Sequence, residues 1–486
     1  MNAQSNHAVT ENHLSSEPTR SATPQGAAEH PVFETEILEY HSKLLGSTDP
    51  SQELGEEYLA PLVTSCAFKR ETNPEGTPQA TQYGLLAGII EDRKDPEADD
   101  DRRMFFNISP PSSTFICGAQ GSGRATPCLA GNLFSPLTGL VFHYDTFISD
   151  RAGSPCEAAF LSSHDDVECS YSRFDIEVAA LQIDQSNLNT QRMLDLMAVG
   201  QESGPIPLYM HTVQRILREL RIVQQATNVE FNYQEFRRRV MSSGLTPPQL
   251  EPLKQRLDTL ESFMPQTPSR NAWLAPQRMS RGSDWKPKAR RLTIVDLSCP
   301  CISPETACAL FNVCLTIFLE QAPETARVVG LDEAHKYMNA SIEARKFTDT
   351  LLSAVRLQRH LGIRMIISTQ EPTISATLLS LCSTTIVHRF TSPDWLKVLH
   401  RHLAGAAEEP HRSDPDDPSV PSHVSLLNQI VDLQVGEALL FSPSAIIKAS
   451  ASEAGDLKFH RLGAEHLRIR VRQRITSDGG KSVLSL

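Results

Sequence analysis

No run of about 18 consecutive apolar residues occurs in this 486-residue chain, so no membrane-spanning helix is expected. Residues 1–20 lack an apolar segment behind a basic start, so a secretory leader is not expected and a cytoplasmic or nuclear, intracellular location is. No internal repeat is found. The ten cysteines show no paired spacing of a disulfide framework. Cys117, Cys308, Cys314 and Cys382 fall in apolar segments and read as reduced, buried thiols. Cys299 and Cys301 form the only close pair; zinc there would need two further ligands at matching spacing, and Cys308 and Cys314 lie on a predicted helix. Positive charge is in deficit, with 46 Lys and Arg against 58 Asp and Glu, a net of −12. That balance argues against a protein whose whole surface binds nucleic acid, and leaves a local basic channel open.

What is present is enough for a globular core. With 40% hydrophobic and 21% charged residues, the chain can bury one large core or two smaller ones. Residues 1–50, rich in Ser, Thr, Asn, Glu and Pro without periodicity, are expected to form a disordered tail. Residues 51–146 hold a weak segment up to Gly88, a solvated acidic stretch from Glu91 to Asp101, and strands at Met104–Ile108, Thr114–Cys117 and Leu137–His143. Residues 147–290 form an insertion dominated by helices: Leu208, Val213, Ile216, Leu217, Leu220 and Val223 recur at helical spacing, as do Leu250, Leu253, Leu257 and Leu260. Its basic features are Arg237–Arg239 and the stretch 270–291, with Arg270, Arg278, Arg281, Lys286, Lys288, Arg290 and Arg291. Such charge runs are usually solvated faces; the alternative for 270–291 is a flexible basic linker that touches nucleic acid or phosphate with Trp273 and Trp285.

Residues 291–486 alternate strand and helix: strands at Leu292–Leu297, Arg327–Leu331, Arg364–Thr369 and Thr385–Arg389, with helices over Glu305–Glu320, Ile342–His360, Ser375–Leu381 and Pro393–Leu403. A Pro/Asp/Glu-rich loop at 408–421, a helix near Val424–Leu433 and a strand at Glu437–Phe441 follow. The pattern predicts an α/β protein, a mostly parallel sheet with helices on both faces and ligands at the carboxyl ends of its strands.

Three of those strand ends carry chemistry. After Thr114–Cys117 come Gly118, Ala119, Gln120, Gly121, Ser122, Gly123, Arg124 and Ala125, the spacing of a phosphate-binding P-loop with Arg124 in place of lysine and Ala125 in place of the hydroxyl. The glycines permit a tight turn whose N–H groups, with the N-terminus of the next helix, cradle an anion; Gly118, Gln120, Gly121, Ser122, Gly123, Arg124, Ala125 and Thr126 are the candidate nucleotide ligands. Arg124 keeps the charge in a larger, planar group, and Ala125 removes the oxygen that holds Mg²⁺. The apolar strand Arg327–Leu331 ends in Asp332 and Glu333, which suits a Walker B element: Asp332 as the Mg²⁺ residue through water, Glu333 as the acceptor of a proton from the attacking water. The strand ending at Thr369 delivers Gln370 to the same edge, where it would polarise that water or sense the γ-phosphate.

In order and wording these segments resemble the additional-strand, RecA-like P-loop ATPases, closest to the FtsK/HerA class of hexameric DNA motors, over residues 113–145 and 291–403. Asp332–His335, the Arg-rich turn Arg356–Arg359 and Thr369–Pro372 carry the resemblance, and residues 114–123 also resemble a group of fungal P-loop proteins in which the lysine and Ser/Thr are intact. The resemblance implies ATP and Mg²⁺ as cofactors, and a homo-oligomer or protein partner. The substitutions at 124 and 125 point instead to weak or lost hydrolysis and a scaffold or regulatory role. An active DNA or protein-remodelling motor, and a nucleic-acid-binding protein using residues 270–291, are the alternatives. A helicase reading of Asp332–His335 requires a second RecA-like domain and is not expected with the 91 residues that follow Trp395.

Overall fold

The computed structural model describes residues 59–65, 83–90, 101–118, 137–146, 156, 158–159, 177–197, 208–265, 282–321, 325–403, 406, 422–451 and 457–473, all in one compact unit, Gly55–Leu486. The expected tail, residues Gln120–Thr126 of the P-loop, Arg270, Trp273, Arg278, Arg281 and the loop 408–421 lie outside them.

The strands are β1 (Leu62–Thr64), β2 (Tyr83–Ile89), β3 (Arg103–Asn107), β4 (Ser113–Cys117), β5 (Thr138–His143), β6 (Leu292–Asp296), β7 (Arg327–Leu331), β8 (Ile363–Thr369), β9 (Thr384–Val387), β10 (Glu437–Phe441), β11 (Ile446–Ala451), β12 (Leu457–Arg461) and β13 (Leu467–Val471). They form one 13-stranded sheet, in the order β12-β11-β1-β3-β2-β13-β10-β9-β4-β8-β7-β5-β6. From β9 to β6 every neighbour pairs parallel. On the other side of β9 the pairings are antiparallel except β1 with β11. The parallel half is as expected; the antiparallel half goes beyond it.

Residue parity along the strands separates two cores. Phe115, Cys117, Leu140, Phe142, Val329, Leu331, Met365, Ile367, Val387 and Leu439 face a large cluster shared with the helices. Ile116, Ile366, Ile386 and Leu440, one residue out of phase, meet Leu86, Met104, Phe106, Ile469 and Val471 of the antiparallel strands. Successive side chains of a strand point to opposite faces, so a near-continuous apolar run here marks a strand buried on both sides.

Among the described residues between β5 and β6 are the α-helices α1 (Thr190–Met197), α2 (Leu208–Thr227), α3 (Tyr233–Met241) and α4 (Pro247–Ser262). Their apolar stripes, including Val213, Leu217, Leu220, Phe236, Leu253 and Leu257, join the large cluster. α5 (Pro304–Glu320) is capped by Ser303 and buried on most of its circumference, as an apolar helix inside a core must be. It packs beside α6 (Ile342–Arg356), where Phe142, Phe311, Phe347 and Tyr337 stack, with Phe142 and Phe311 centroids 4.8 Å apart and Phe311 and Tyr337 5.1 Å apart. Buried Arg327, first in β7, donates to the carbonyls of Leu319 and Gln321 at the end of α5, satisfying acceptors that the helix leaves unpaired. The predicted helix over Ile342–His360 is instead two: α6 stops at Arg356, and α7 (Gln358–Leu361) ends at Gly362 in the left-handed conformation. α8 (Ala376–Leu381), α9 (Pro393–His402) and α10 (Ser422–Val431) complete the order.

The antiparallel half is pinned by a cross-strand ion pair. Buried Glu437 of β10 lies 2.7 Å from both Arg468 and Arg470 of β13. Burial alone raises its pKa, but hydrogen bonds from the two guanidinium groups and the Gln434 N–H outweigh it and hold the carboxyl at about 2. The folded value is below the ordinary 4.5, so its contribution to stability is full above pH 4.5 and is lost as pH falls towards 2. In Glu437→Gln, folding stability is expected to be lower at neutral pH and flatter across that acid window, read from denaturation midpoints against pH; parallel profiles would refute it.

Candidate nucleotide site at the carboxyl edge of the sheet

β4, β8, β7 and β5 run parallel, so their carboxyl ends share one edge, and β8 stands between the P-loop strand β4 and the strand β7 that carries Asp332 and Glu333. Gly118, the last described residue before the P-loop turn, has φ +148°, and a Cβ there would sit 2.6 Å from the Cβ of His388. The chain leaves β4 against β9, held by the His388 N–H bond to the Cys117 carbonyl at 2.8 Å, and only glycine fits.

β7 delivers its two acids to opposite neighbours. Glu333 has φ 47° and ψ 45°, a left-handed backbone rare outside glycine. The turn sends Glu333 towards β8, where Gln370 Nε2 donates to its Oε2 at 2.9 Å. His335 joins them: the Gln370 backbone N–H donates to its Nδ1 at 3.3 Å, and its Nε2 stands 3.5 Å from Glu333 Oε2. Because Nδ1 accepts, the proton of the neutral ring is assigned to Nε2. Two candidate catalytic residues that are 37 positions apart in the sequence are therefore in direct contact.

Asp332 turns the other way. It is buried, its N–H donates to the Phe142 carbonyl of β5 at 2.9 Å, and its Oδ2 lies 2.9 Å from His143 Nδ1 and 3.4 Å from Cys156 Sγ. Burial pulls the His143 pKa down, but the hydrogen bond and charge of Asp332, with Asp296 behind them, leave it above its ordinary value. Burial first, and the Asp332 charge second, push the Cys156 thiol well up. Tyr337, whose hydroxyl finds no partner among the described residues, closes the floor beneath, and its carbonyl accepts from Cys308 Sγ at 3.1 Å. Lys336 pairs with Asp145 at 3.2 Å on the rim.

This donor set does not fit the magnesium role expected of Asp332. Mg²⁺ takes oxygen ligands and retains several waters, whereas the carboxylate here is engaged by an imidazole nitrogen and a thiol. Residues Gln120–Thr126, the other candidate ligands of ATP and Mg²⁺, lie outside the described residues. His143 and Cys156 were not singled out from sequence, and His335 entered only as the last residue of the segment Asp332–His335. His143 only reads as the last residue of a strand, and it is 189 positions from its partner.

Further expectations meet the structure away from this edge. Trp285, read as a candidate nucleic-acid contact, is buried in the large core, where its ring is removed from water. Arg237, Arg238 and Arg239 are paired with Glu261, Glu235 and Glu219, and Lys288 and Arg291 with Asp284. Cys117, Cys308 and Cys314 are buried as expected, while Cys382 is half-buried and Cys301 exposed. Exposed Arg356 and Arg359 precede β8, at the strand end opposite Gln370.

No family model matches the sequence, and no curated protein sequence does. Solved structures similar to it include VirB4 of Thermoanaerobacter pseudethanolicus (9% identity, 81% of this chain and 97% of that one, TM-score 0.46). Another is the bacterial conjugative coupling protein TrwB in complex with sulphate (14% identity, the same 81% and 97%, TM-score 0.41). A third is the genome packaging NTPase B204 of Sulfolobus turreted icosahedral virus 2 with AMPPCP (12% identity, 36% and 68%, TM-score 0.21). These values are low, and the fold is assigned from the strand order itself. β8 lies between β4, the strand before the glycine-rich loop, and the acid-bearing strand β7, with β9 on the other side of β4, so the parallel half is an α/β sheet whose strand order brings these strand ends to one edge.

Proposed function

We propose that this protein binds a nucleotide at the carboxyl edge of β4, β8 and β7 with weak or lost ATP hydrolysis, and serves as a scaffold or regulatory subunit. The observation that carries this reading is the separation of the two acids of β7: Glu333 meets Gln370 at 2.9 Å, while Asp332 is bonded to His143 and Cys156. The groups that would handle the attacking water are together. The groups that would neutralise phosphate charge are altered, by the engagement of Asp332 and by Arg124 and Ala125 in the loop. Backbone N–H groups of a glycine-rich turn need neither a lysine nor an ion to hold an anion, so binding outlasts turnover.

Calorimetric titration of ATP into the full chain, with Mg²⁺ and with a chelator, tests this. The expected result is a Kd of about 1 mM or tighter, roughly 4 kcal/mol, changed less than about twofold by Mg²⁺. Absence of any binding heat at millimolar ATP would remove the nucleotide, and a tightening of about tenfold by Mg²⁺ would show a working magnesium site.

A further inference from the structure

His143 ends β5, Asp332 follows β7 beside it, and Cys156 reaches the same point from the chain beyond β5. Their ligand atoms all lie within 4.8 Å of one another, and all three residues are buried. Nδ1 of His143 is 2.9 Å and Sγ of Cys156 3.4 Å from the same carboxylate oxygen. In a tetrahedral zinc site, with ligand bonds of about 2.0–2.3 Å, ligand atoms stand roughly 3.3–3.8 Å apart, so side-chain shifts of up to about 1 Å would bring these three onto one ion.

The remaining ring nitrogen points the same way. His143 Nε2 is buried and finds no hydrogen-bond partner among the described residues. Nothing on that side locks the ring into one tautomer, and Nδ1 can present a proton to Asp332 or a lone pair to a metal. A buried carboxylate, imidazole and thiol together form a donor set of the kind that selects a borderline or soft divalent ion over Mg²⁺.

We propose that His143, Cys156 and Asp332 bind a thiophilic divalent cation of the zinc type, with the fourth position open to water. Binding replaces the Sγ proton of Cys156 by a bond to the ion, and that proton passes to the buffer; His143 binds as the neutral ring through the Nδ1 lone pair, with its one proton on Nε2. The ion's charge offsets the burial that keeps the thiol protonated without it. Occupation takes Asp332 out of magnesium chemistry, so the site would make the edge of β7 zinc-responsive. The proposal does not depend on nucleotide binding, and it is read without nucleotide.

Cobalt(II) is the probe, titrated into the chelator-treated full chain and followed by absorption. The expected result is a thiolate-to-cobalt charge-transfer band that saturates at one ion per chain, disappears on adding Zn²⁺ and survives a large excess of Mg²⁺. Cys156→Ser should abolish the band, and His143→Gln or Asp332→Asn should weaken binding about tenfold or more. The double change Cys299→Ser with Cys301→Ser, away from the cluster, should leave it intact. No band in the wild-type chain would overturn the proposal, independently of how any variant folds. So would a band that persists in Cys156→Ser, or one lost with Cys299 and Cys301.

Discussion

Arg124→Lys combined with Ala125→Ser is expected to raise steady-state ATP turnover by about 10²–10³-fold over the wild-type chain, the scale on which a single preorganised charge-stabilising group acts. The gain has two sources. A lysine ammonium is a compact charge on a flexible stem that follows the phosphate oxygens, where the planar guanidinium of Arg124 is too large to do so. A serine at 125 returns a hydroxyl group to the loop, which makes no call on Asp332, engaged as it is by His143 and Cys156. Gln370 already reaches Glu333 at 2.9 Å across adjacent strand ends. Adding Glu333→Gln to the double variant should therefore cancel the gain, because the carboxylate that accepts the proton is removed while the hydrogen-bonded shape is kept. Phosphate release measured on the three proteins decides it: no increase in the double variant, or an increase indifferent to Glu333, would mean that these strand ends do not form a working nucleotide site.

Replacement of Phe311 by alanine is expected to lower folding stability by about 3–5 kcal/mol, the usual cost of truncating a fully buried aromatic ring. The ring is completely buried, 4.8 Å from that of Phe142, 5.1 Å from Tyr337 and 6.2 Å from Phe347 by centroid. It touches β5 on one side and the segment just after Asp332 and Glu333 on the other, so the cavity opens under the candidate site. Phe311→Leu, which keeps most of the volume, should cost much less. Chemical denaturation of the two variants is the check, and a loss below about 1 kcal/mol for the alanine variant would show that the cluster does not hold these elements together.

Much of the parallel half was legible because buried parallel strands are continuous apolar runs and their helices carry apolar faces and caps. β4, β7 and β8 fall within a residue of the spans read from sequence, and Ser303 and Ser341 mark the starts of α5 and α6. Of the antiparallel half, β3 and β10 were read from sequence, and β2 and β11 were hidden by irregularity. In β2 a register shift between Leu85 and Ala87 breaks the alternation that announces a half-buried strand, and β11 carries a similar shift between Ile446 and Lys448. The end of α6 was overrun because Arg356–His360 is compatible with helix; the tertiary structure inserts Leu357 as a break and turns the chain back at Gly362.

Local sequence by itself determined which residues follow these strands: a glycine-rich segment after one, an Asp-Glu pair after another and a glutamine after a third, each read from residues that lie next to one another in the chain. It also determined that the loop lacks lysine and hydroxyl. Only the tertiary structure decided the partners. Glu333 and Gln370 meet because β7 and β8 are neighbours, and Asp332 meets His143 and Cys156 because β5 lies on the other side of β7. Such contacts join residues 176 or 189 positions apart, and no local periodicity encodes them; they follow from strand order, which is set by the burial of whole strands, and from one left-handed residue, Glu333, that aims two adjacent carboxylates at different neighbours.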